Sequence, residues 1–210
     1  ALTGIDTRTL TKRLREHGTM LGKILIDDQD PEFFDPQKHN LVSRVSIDKP
    51  QVYGKGDRRV LVVDCGSKRN IVKELIKRGL EVLLVPWNYP LLDENVKGIV
   101  ISNGPGDPKS CPETVREVQS ALNAGIPTFG ICLGHQVLSL AIGLNTYKMK
   151  YGHRSQNQPV MHLETSKCYV TSQNHGYVTD TTDLPRDWKA SFINLNDETS
   201  EGLMHASGLF

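Results

Sequence analysis

Residues 130–136 read Gly-Ile-Cys-Leu-Gly-His-Gln. An apolar run, 126–131, leads into one cysteine boxed by two glycines, and a helix-like run, 136–142, follows at once. Strand, sharp turn, nucleophile and helix in that order make a nucleophile elbow. The glycines permit a turn that a Cβ would obstruct and let a substrate approach the backbone. A cysteine at a helix N-terminus meets free N–H groups and the positive end of the helix dipole, so Cys132 is expected to have a lowered pKa and to populate the thiolate. The competing reading is a buried structural cysteine, a common fate of free thiols. The paired glycines and the switch from strand to helix favour the nucleophile.

A second segment, Asn103-Gly104-Pro105-Gly106-Asp107-Pro108, follows another apolar run. Alone it is an ordinary tight turn, and it is no P-loop, because no Gly-Lys-Ser/Thr follows. Beside an elbow it does more. The N–H groups of Gly106 and Leu133 could together stabilise the oxyanion of an acyl-transfer intermediate. A third segment, Ser172-Gln173-Asn174-His175-Gly176-Tyr177, follows an expected strand and reads as a polar loop tip able to contact a small ligand. His175 is either a catalyst or, more commonly for a lone loop histidine, a satisfied side chain.

These segments need a scaffold that brings them together. From residue 58 on, apolar runs alternate with amphipathic ones: strands at 60–64, 81–85, 98–102 and 127–131, with helices at 68–78 and 112–124. The alternation predicts an α/β fold, a doubly wound and mostly parallel sheet with helices on both faces. In such a sheet ligands bind at the carboxyl ends of the strands, where the 104–106 and Cys132 loops both fall. Less regular strands are expected at 157–162, 167–172 and 191–195. Before residue 58 the pattern predicts a helix over 7–18, strands over 20–26 and 41–47, and loop over 27–40. Residues 48–57, with Lys49-Pro50 and Gly54-Lys55-Gly56, read as a linker. The expected division is therefore 1–50, a linker at 51–57, and an α/β domain at 58–210.

The 210 residues carry a net charge of +1 and are 38% hydrophobic, which gives neither a nucleic-acid footprint nor a membrane-surface patch. Cys65, Cys111, Cys132 and Cys168 lie far apart with no CxxC, against a zinc site or disulfide framework and for a reducing compartment. No signal peptide and no membrane-spanning run is evident. Ala1 lies inside helix-like sequence and Phe210 closes an apolar run, so a longer parent polypeptide is expected.

The three segments together resemble the class I glutamine amidotransferases, and more narrowly the glutaminase portion of glutamine-dependent carbamoyl phosphate synthetases. The narrower likeness rests on Gly4-Ile5-Asp6-Thr7-Arg8, Gly22-Lys23-Ile24, Asp64-Cys65-Gly66, Thr146-Tyr147-Lys148-Met149, Gly152-His153-Arg154 and Asn157-Gln158-Pro159. Val85-Pro86-Trp87-Asn88, Asn196-Asp197 and Glu201-Gly202 look most like the eukaryotic forms, either the multifunctional pyrimidine-pathway protein or the urea-cycle type. The resemblance implies that Cys132 forms a glutamyl thioester and releases ammonia. It places Gly104, Gly106, Leu133, Gln136, Asn174, Gly176 and Tyr177 around L-glutamine, with His175 supporting that site rather than acting as base. It implies no cofactor and no metal in this chain. The partner is a synthetase domain or large subunit that uses ATP and bicarbonate, with neither nucleic acid nor membrane involved. Residues 1–50 would be the end of a small N-terminal domain. The compartment would be cytoplasmic, or mitochondrial for a urea-cycle form.

One departure matters. The family's base and its carboxylate lie in a His-Pro-Glu motif, which is absent here. The chain stops about where the preceding strand should begin, and His205 matches a segment upstream of that motif. The base is therefore expected beyond Phe210, with little glutaminase activity in these residues alone. Two other readings remain: a γ-glutamyl hydrolase or peptidase on the same scaffold, and a non-catalytic regulatory module of an ammonia-using synthetase. Cys132 and Gln136 weigh against the second, while Ser155-Gln156 after Gly152-His153-Arg154 keeps it alive.

Overall fold

A computed structural model describes residues 3–27 and 29–210. Its centre is a five-stranded sheet in the order β1-β3-β2-β4-β5, made of β1 (Gln51–Tyr53), β2 (Arg58–Asp64), β3 (Leu80–Pro86), β4 (Ile99–Ile101) and β5 (Thr128–Gly130). The β2–β3, β2–β4 and β4–β5 pairs are parallel, and only β1 runs antiparallel to its neighbour. Continuous apolar strands suit a sheet covered on both faces, and the burial alternates accordingly. Leu61, Val63, Val85, Ile99 and Ile101 pack on one side against Val118 and Ala121 of α3 (Pro112–Asn123) and Val137 of α4 (Leu133–Ala141). Val62, Val82, Leu84 and Val100 face the other side, against α2 (Arg69–Lys77) through Ile71, Val72 and Leu75. The doubly wound half of the expectation is thus met.

The second half is different in kind. Strands β6 (Asn145–His162), β7 (Lys167–Asp180), β8 (Trp188–Asn194) and β9 (Ser200–His205) close into an antiparallel sheet in the order β6-β7-β9-β8. Short, irregular strands were expected here, and β9 was not foreseen. Residues 172–177 are not a loop tip: β7 runs straight through them, with His175 opposite His153 and Asn174 opposite Arg154. Bulges between Lys148 and His153 and between Ser155 and Gln158 interrupt the alternation that would have announced a long strand. The Thr179 hydroxyl donates to Ser139 Oγ at 2.9 Å, tying β7 to α4.

The first segment also departs from expectation in places. Its helix α1 (Thr7–His17) forms as predicted, capped by Asp6, which accepts the Thr9 N–H at 2.9 Å. Residues 20–26 are not a strand. Only Ile26 makes a single bridge, to Gln29, and Ile24 is 67% exposed; no neighbouring strand among the described residues supplies partners. Residues 41–47 hold a 3₁₀ turn, Val42–Arg44, instead of a strand. Asn40 explains it: its Oδ1 accepts the Ser43 N–H at 3.0 Å, and the Ser43 hydroxyl returns a bond to the Asn40 carbonyl at 2.9 Å. Val42 is fully buried in the main core. The expected linker is no spacer either, because Gln51–Tyr53 add an edge strand beside β3. Asp64 joins these pieces. One oxygen accepts the N–H groups of Gly66 and Ser67 at 3.0 and 2.7 Å, and the other accepts that of Ile47 at 2.9 Å.

Candidate active site

The elbow is built by contact. At Gly134 a Cβ would fall 2.1 Å from the Ile101 carbonyl oxygen, and at Gly130 one would fall 2.5 Å from the Gly134 carbonyl oxygen. Only bare backbone lets α4 start this close to β4 and β5. The chain therefore turns sharply, and Cys132 sits at φ 54° and ψ −106°, a left-handed conformation that costs a side-chain-bearing residue free energy. Hydrogen bonds hold the turn: Gly134 N–H to the Ile131 carbonyl at 3.0 Å, and Gln136 N–H to the Cys132 carbonyl at 3.1 Å. Cys132 is exposed at the surface of a cleft and not sealed in the core.

The Gly-Pro-Gly turn is held beside it. Ser102 Oγ accepts the Cys65 N–H at 3.0 Å, Asn103 Oδ1 accepts that of Lys68 at 3.1 Å, and Asn103 Nδ2 donates to the Gly66 carbonyl at 3.2 Å. A Cβ on Gly104 would meet the Cys65 carbonyl oxygen at 2.1 Å, and Gly106 has φ +92°. From the opposite wall, the Tyr177 carbonyl accepts Gln136 Nε2 at 2.7 Å and His175 Nδ1 at 2.9 Å. One cleft of about 960 Å³ brings Gly104, Gly106, Cys132, Leu133, Gln136, Asn174, Gly176 and Tyr177 together, a size typical of small-molecule sites. Every residue singled out from the sequence thus lies on one cavity.

Electrostatics correct one expectation. The Cys132 pKa is raised, not lowered: burial of the thiol dominates and Glu201 adds to it, while the Leu133 N–H and Lys68 pull the other way without prevailing. A helix terminus alone does not ionise this thiol, so its activation requires a base. His175 is poorly placed for that task, with Nδ1 on the Tyr177 carbonyl and Nε2 facing Gln173 Oε1 at 3.1 Å and Glu201 at 3.5 Å. Burial pulls its pKa down, but Glu201 and the Tyr177 carbonyl outweigh that and raise it. His135 is the opposite case. Burial depresses its pKa to about 4, and its Nε2 is sealed without a partner. Among the described residues no histidine hydrogen-bonds the Cys132 thiol.

Some cleft residues escaped the sequence reading. Lys68 and Glu201 line it, as do Thr19, Met20 and Leu41 from the first segment. Glu201 enters the sequence reading only within the Glu201-Gly202 likeness and with no role, and the others carry no signal beyond proximity to recognised motifs.

An elbow cysteine at the carboxyl edge of a parallel sheet, sharing a cleft with Gly106 and Leu133, fits the class I amidotransferase scaffold. The chain belongs to that family: residues 61–210 match the model described as glutamine amidotransferase class-I. It is 51% identical to the multifunctional protein CAD of Squalus acanthias over 99% of this chain and 10% of that protein. It is 47% identical to the arginine-specific carbamoyl phosphate synthase small chain of Saccharomyces cerevisiae, over 98% of this chain and 53% of that one. The human mitochondrial carbamoyl-phosphate synthase (ammonia) is 46% identical, with 100% of this chain and 14% of that protein covered. The chain thus spans about half or less of these relatives' lengths. Among solved structures, a GMP synthase-like protein from Thermoplasma acidophilum superposes with a TM-score of 0.62 at 19% identity, covering 72% of this chain and 80% of that one. A glutamine amidotransferase from Thermotoga maritima gives 0.58 at 19%, with 71% and 72% covered. Both support the fold.

Proposed function

We propose that this chain is the glutaminase part of a carbamoyl phosphate synthetase. Residues 58–210 form the amidotransferase domain, and residues 1–50 end a small preceding domain whose last stretch, from Leu41 on, packs into it. The observation that carries the reading is the exposed, left-handed Cys132 opening on the cleft shared by Gly106, Leu133 and Gln136. Gln136, Asn174, Gly176, Tyr177 and Gly104 hold L-glutamine. The Cys132 sulfur, once deprotonated, attacks the carboxamide carbon. The oxyanion forms between the N–H groups of Gly106 and Leu133, and collapse of the intermediate expels ammonia and leaves a γ-glutamyl thioester for water to cleave. The raised thiol pKa and the lack of any histidine hydrogen-bonded to the thiol among the described residues support a base supplied from outside these residues. Ammonia then passes to a synthetase domain or large subunit that makes carbamoyl phosphate with bicarbonate and ATP. The compartment is cytoplasmic or, for a urea-cycle form, mitochondrial; no helix among the described residues is long and apolar enough to cross a membrane.

A glutamine-shaped chloroketone tests the site. It is expected to alkylate Cys132, to be blocked by glutamine, and to leave C132S unlabelled, while steady-state ammonia release by the 210 residues alone stays weak. Labelling that glutamine does not block would overturn the assignment. In the parent protein, carbamoyl phosphate synthesis from glutamine supports the catalytic reading; synthesis from ammonia only would make the domain regulatory.

A further inference from the structure

In the wall of the cleft, where His175 and Glu201 line it, three side chains converge. His153 and His175 are a cross-strand pair on β6 and β7, and Glu201 reaches them from β9. Gly152, at φ +73°, opens the bulge that turns His153 inward, and a Cβ there would strike the His175 carbonyl oxygen at 2.4 Å. His153 is 7% exposed. Its Nε2 lies 2.8 Å from Asp197 Oδ2, and His175 Nδ1 lies 2.9 Å from the Tyr177 carbonyl. With its outer nitrogen protonated toward that acceptor, a neutral ring turns its other nitrogen inward as a lone pair. Inside the triangle, His153 Nδ1 and His175 Nε2 are 3.3 Å apart, His153 Nδ1 and Glu201 Oε1 are 2.9 Å apart, and His175 Nε2 and Glu201 Oε2 are 3.5 Å apart. Gln173 Oε1, another acceptor, stands 3.1 Å from His175 Nε2. Its amide is oriented by the bond from Gln173 Nε2 to Thr171 Oγ1.

The cluster holds one donor, the buried Asn194 amide, whose Nδ2 lies 3.3 Å from Glu201 Oε1 and 3.4 Å from His153 Nδ1; a cation at the centre would serve the remaining lone pairs. A proton on His175 Nε2 can reach Gln173 Oε1 at 3.1 Å, but 3.5 Å to Glu201 is long for a charge-assisted bond, which shortens to about 2.7–2.9 Å. The spacing suits a metal polyhedron better. A tetrahedron with zinc–ligand arms of about 2.0–2.1 Å has edges near 3.3 Å, and the observed edges of 2.9–3.5 Å bracket that. The outer partners fit as well, since zinc-bound histidines characteristically donate their second N–H to a carboxylate or a backbone carbonyl. Asp197 and the Tyr177 carbonyl are those partners.

We propose that His153 Nδ1, His175 Nε2 and the Glu201 carboxylate form a zinc-class divalent metal site, with Gln173 Oε1 placed as a fourth ligand. Two imidazoles and one carboxylate favour zinc over calcium or magnesium, which take all-oxygen shells. The ion would join β6, β7 and β9 and fix the Tyr177 carbonyl that receives Gln136. The site is structural, lies outside the thioester chemistry, and stands whether or not glutamine is the substrate.

The test uses the 210-residue chain stripped with a chelator, titrated with Co²⁺ for coordination geometry and with Zn²⁺ against a chromophoric chelator for affinity. One equivalent is expected, with four-coordinate d–d bands and no thiolate-to-metal charge-transfer band. E201Q and H153Q are expected to weaken binding by about 10–100-fold or more, and C132S and C168S to leave it intact. Zn²⁺ is expected to raise the unfolding temperature of the unsubstituted chain but not that of E201Q. Absence of stoichiometric binding overturns the proposal. So does binding that survives E201Q and disappears in C132S or C168S, or a thiolate band. If H153Q does not fold, E201Q and the Co²⁺ spectrum of the unsubstituted chain decide.

Discussion

Gly134→Ala sets two opposing effects against each other at one helical position. In an ordinary helix, alanine would gain about 0.8–1.0 kcal/mol over glycine. Here its Cβ would land 2.1 Å from the Ile101 carbonyl oxygen, 2.7 Å from the carbonyl carbon and 2.9 Å from the Ile101 Cβ. Two of these atoms are backbone in a central strand, so α4 itself must move, by about 1 Å, to restore ordinary contact. Overpacking of this kind costs about 1–3 kcal/mol, and the upper part of that range applies because nothing flexible can yield. The net expectation is a loss of about 1–2 kcal/mol, or several degrees in unfolding temperature for a chain of this size. The shift carries Cys132 and the Leu133 N–H with it. A displacement of that size at a reacting centre costs on the order of 10²-fold in rate. Thermal unfolding and the rate of Cys132 alkylation by the glutamine-shaped chloroketone measure the two effects. A variant at least as stable as the parent, alkylated at an unchanged rate, would refute the reasoning that close backbone contact dictates glycine here.

His135 is held neutral by burial, with its pKa depressed to about 4 against a usual value near 6.5. The unfolded chain therefore binds a proton between those values that the folded chain does not, and this histidine's share of stability is complete above pH 6.5 and falls away toward pH 4. The loss amounts to about 3 kcal/mol at most. Urea midpoints at pH 7 and 4.5 should converge in H135Q relative to the parent, and an unchanged acid slope would sink this account. Asp64→Asn replaces one of the two oxygens that serve Gly66, Ser67 and Ile47 with an N–H₂ group. A loss of about 1–3 kcal/mol is expected by urea titration, and a variant as stable as the parent would show that water replaces these bonds without cost.

What the sequence made legible was local. Three contiguous segments carried the elbow, the Gly-Pro-Gly turn and the Asn174–Tyr177 wall, and the apolar runs of β2, β3 and β4 needed no partner to be recognised. Pairing was less visible. The closed β6-β7-β9-β8 sheet is specified by distant contacts, and its longest strand is broken by bulges at Gly152 and before Gln158. Residues 20–26 have strand-like composition but no neighbour to bond among the described residues. The Cys132 pKa depends on how much protein surrounds the sulfur, which a helix-terminus argument leaves out. The His153, His175 and Glu201 cluster was invisible because its members come from three strands and share no spacing pattern.

The burial of Val42 and the Asp64 bond to Ile47 also bear on how the chain can be divided. An excision beginning at residue 58, the boundary that composition suggests, would discard a core side chain, an edge strand and one ligand of a buried carboxylate. A self-sufficient folding unit has to begin upstream of Asn40, so the segment that looks like a connector by its prolines and glycines is part of what is being connected.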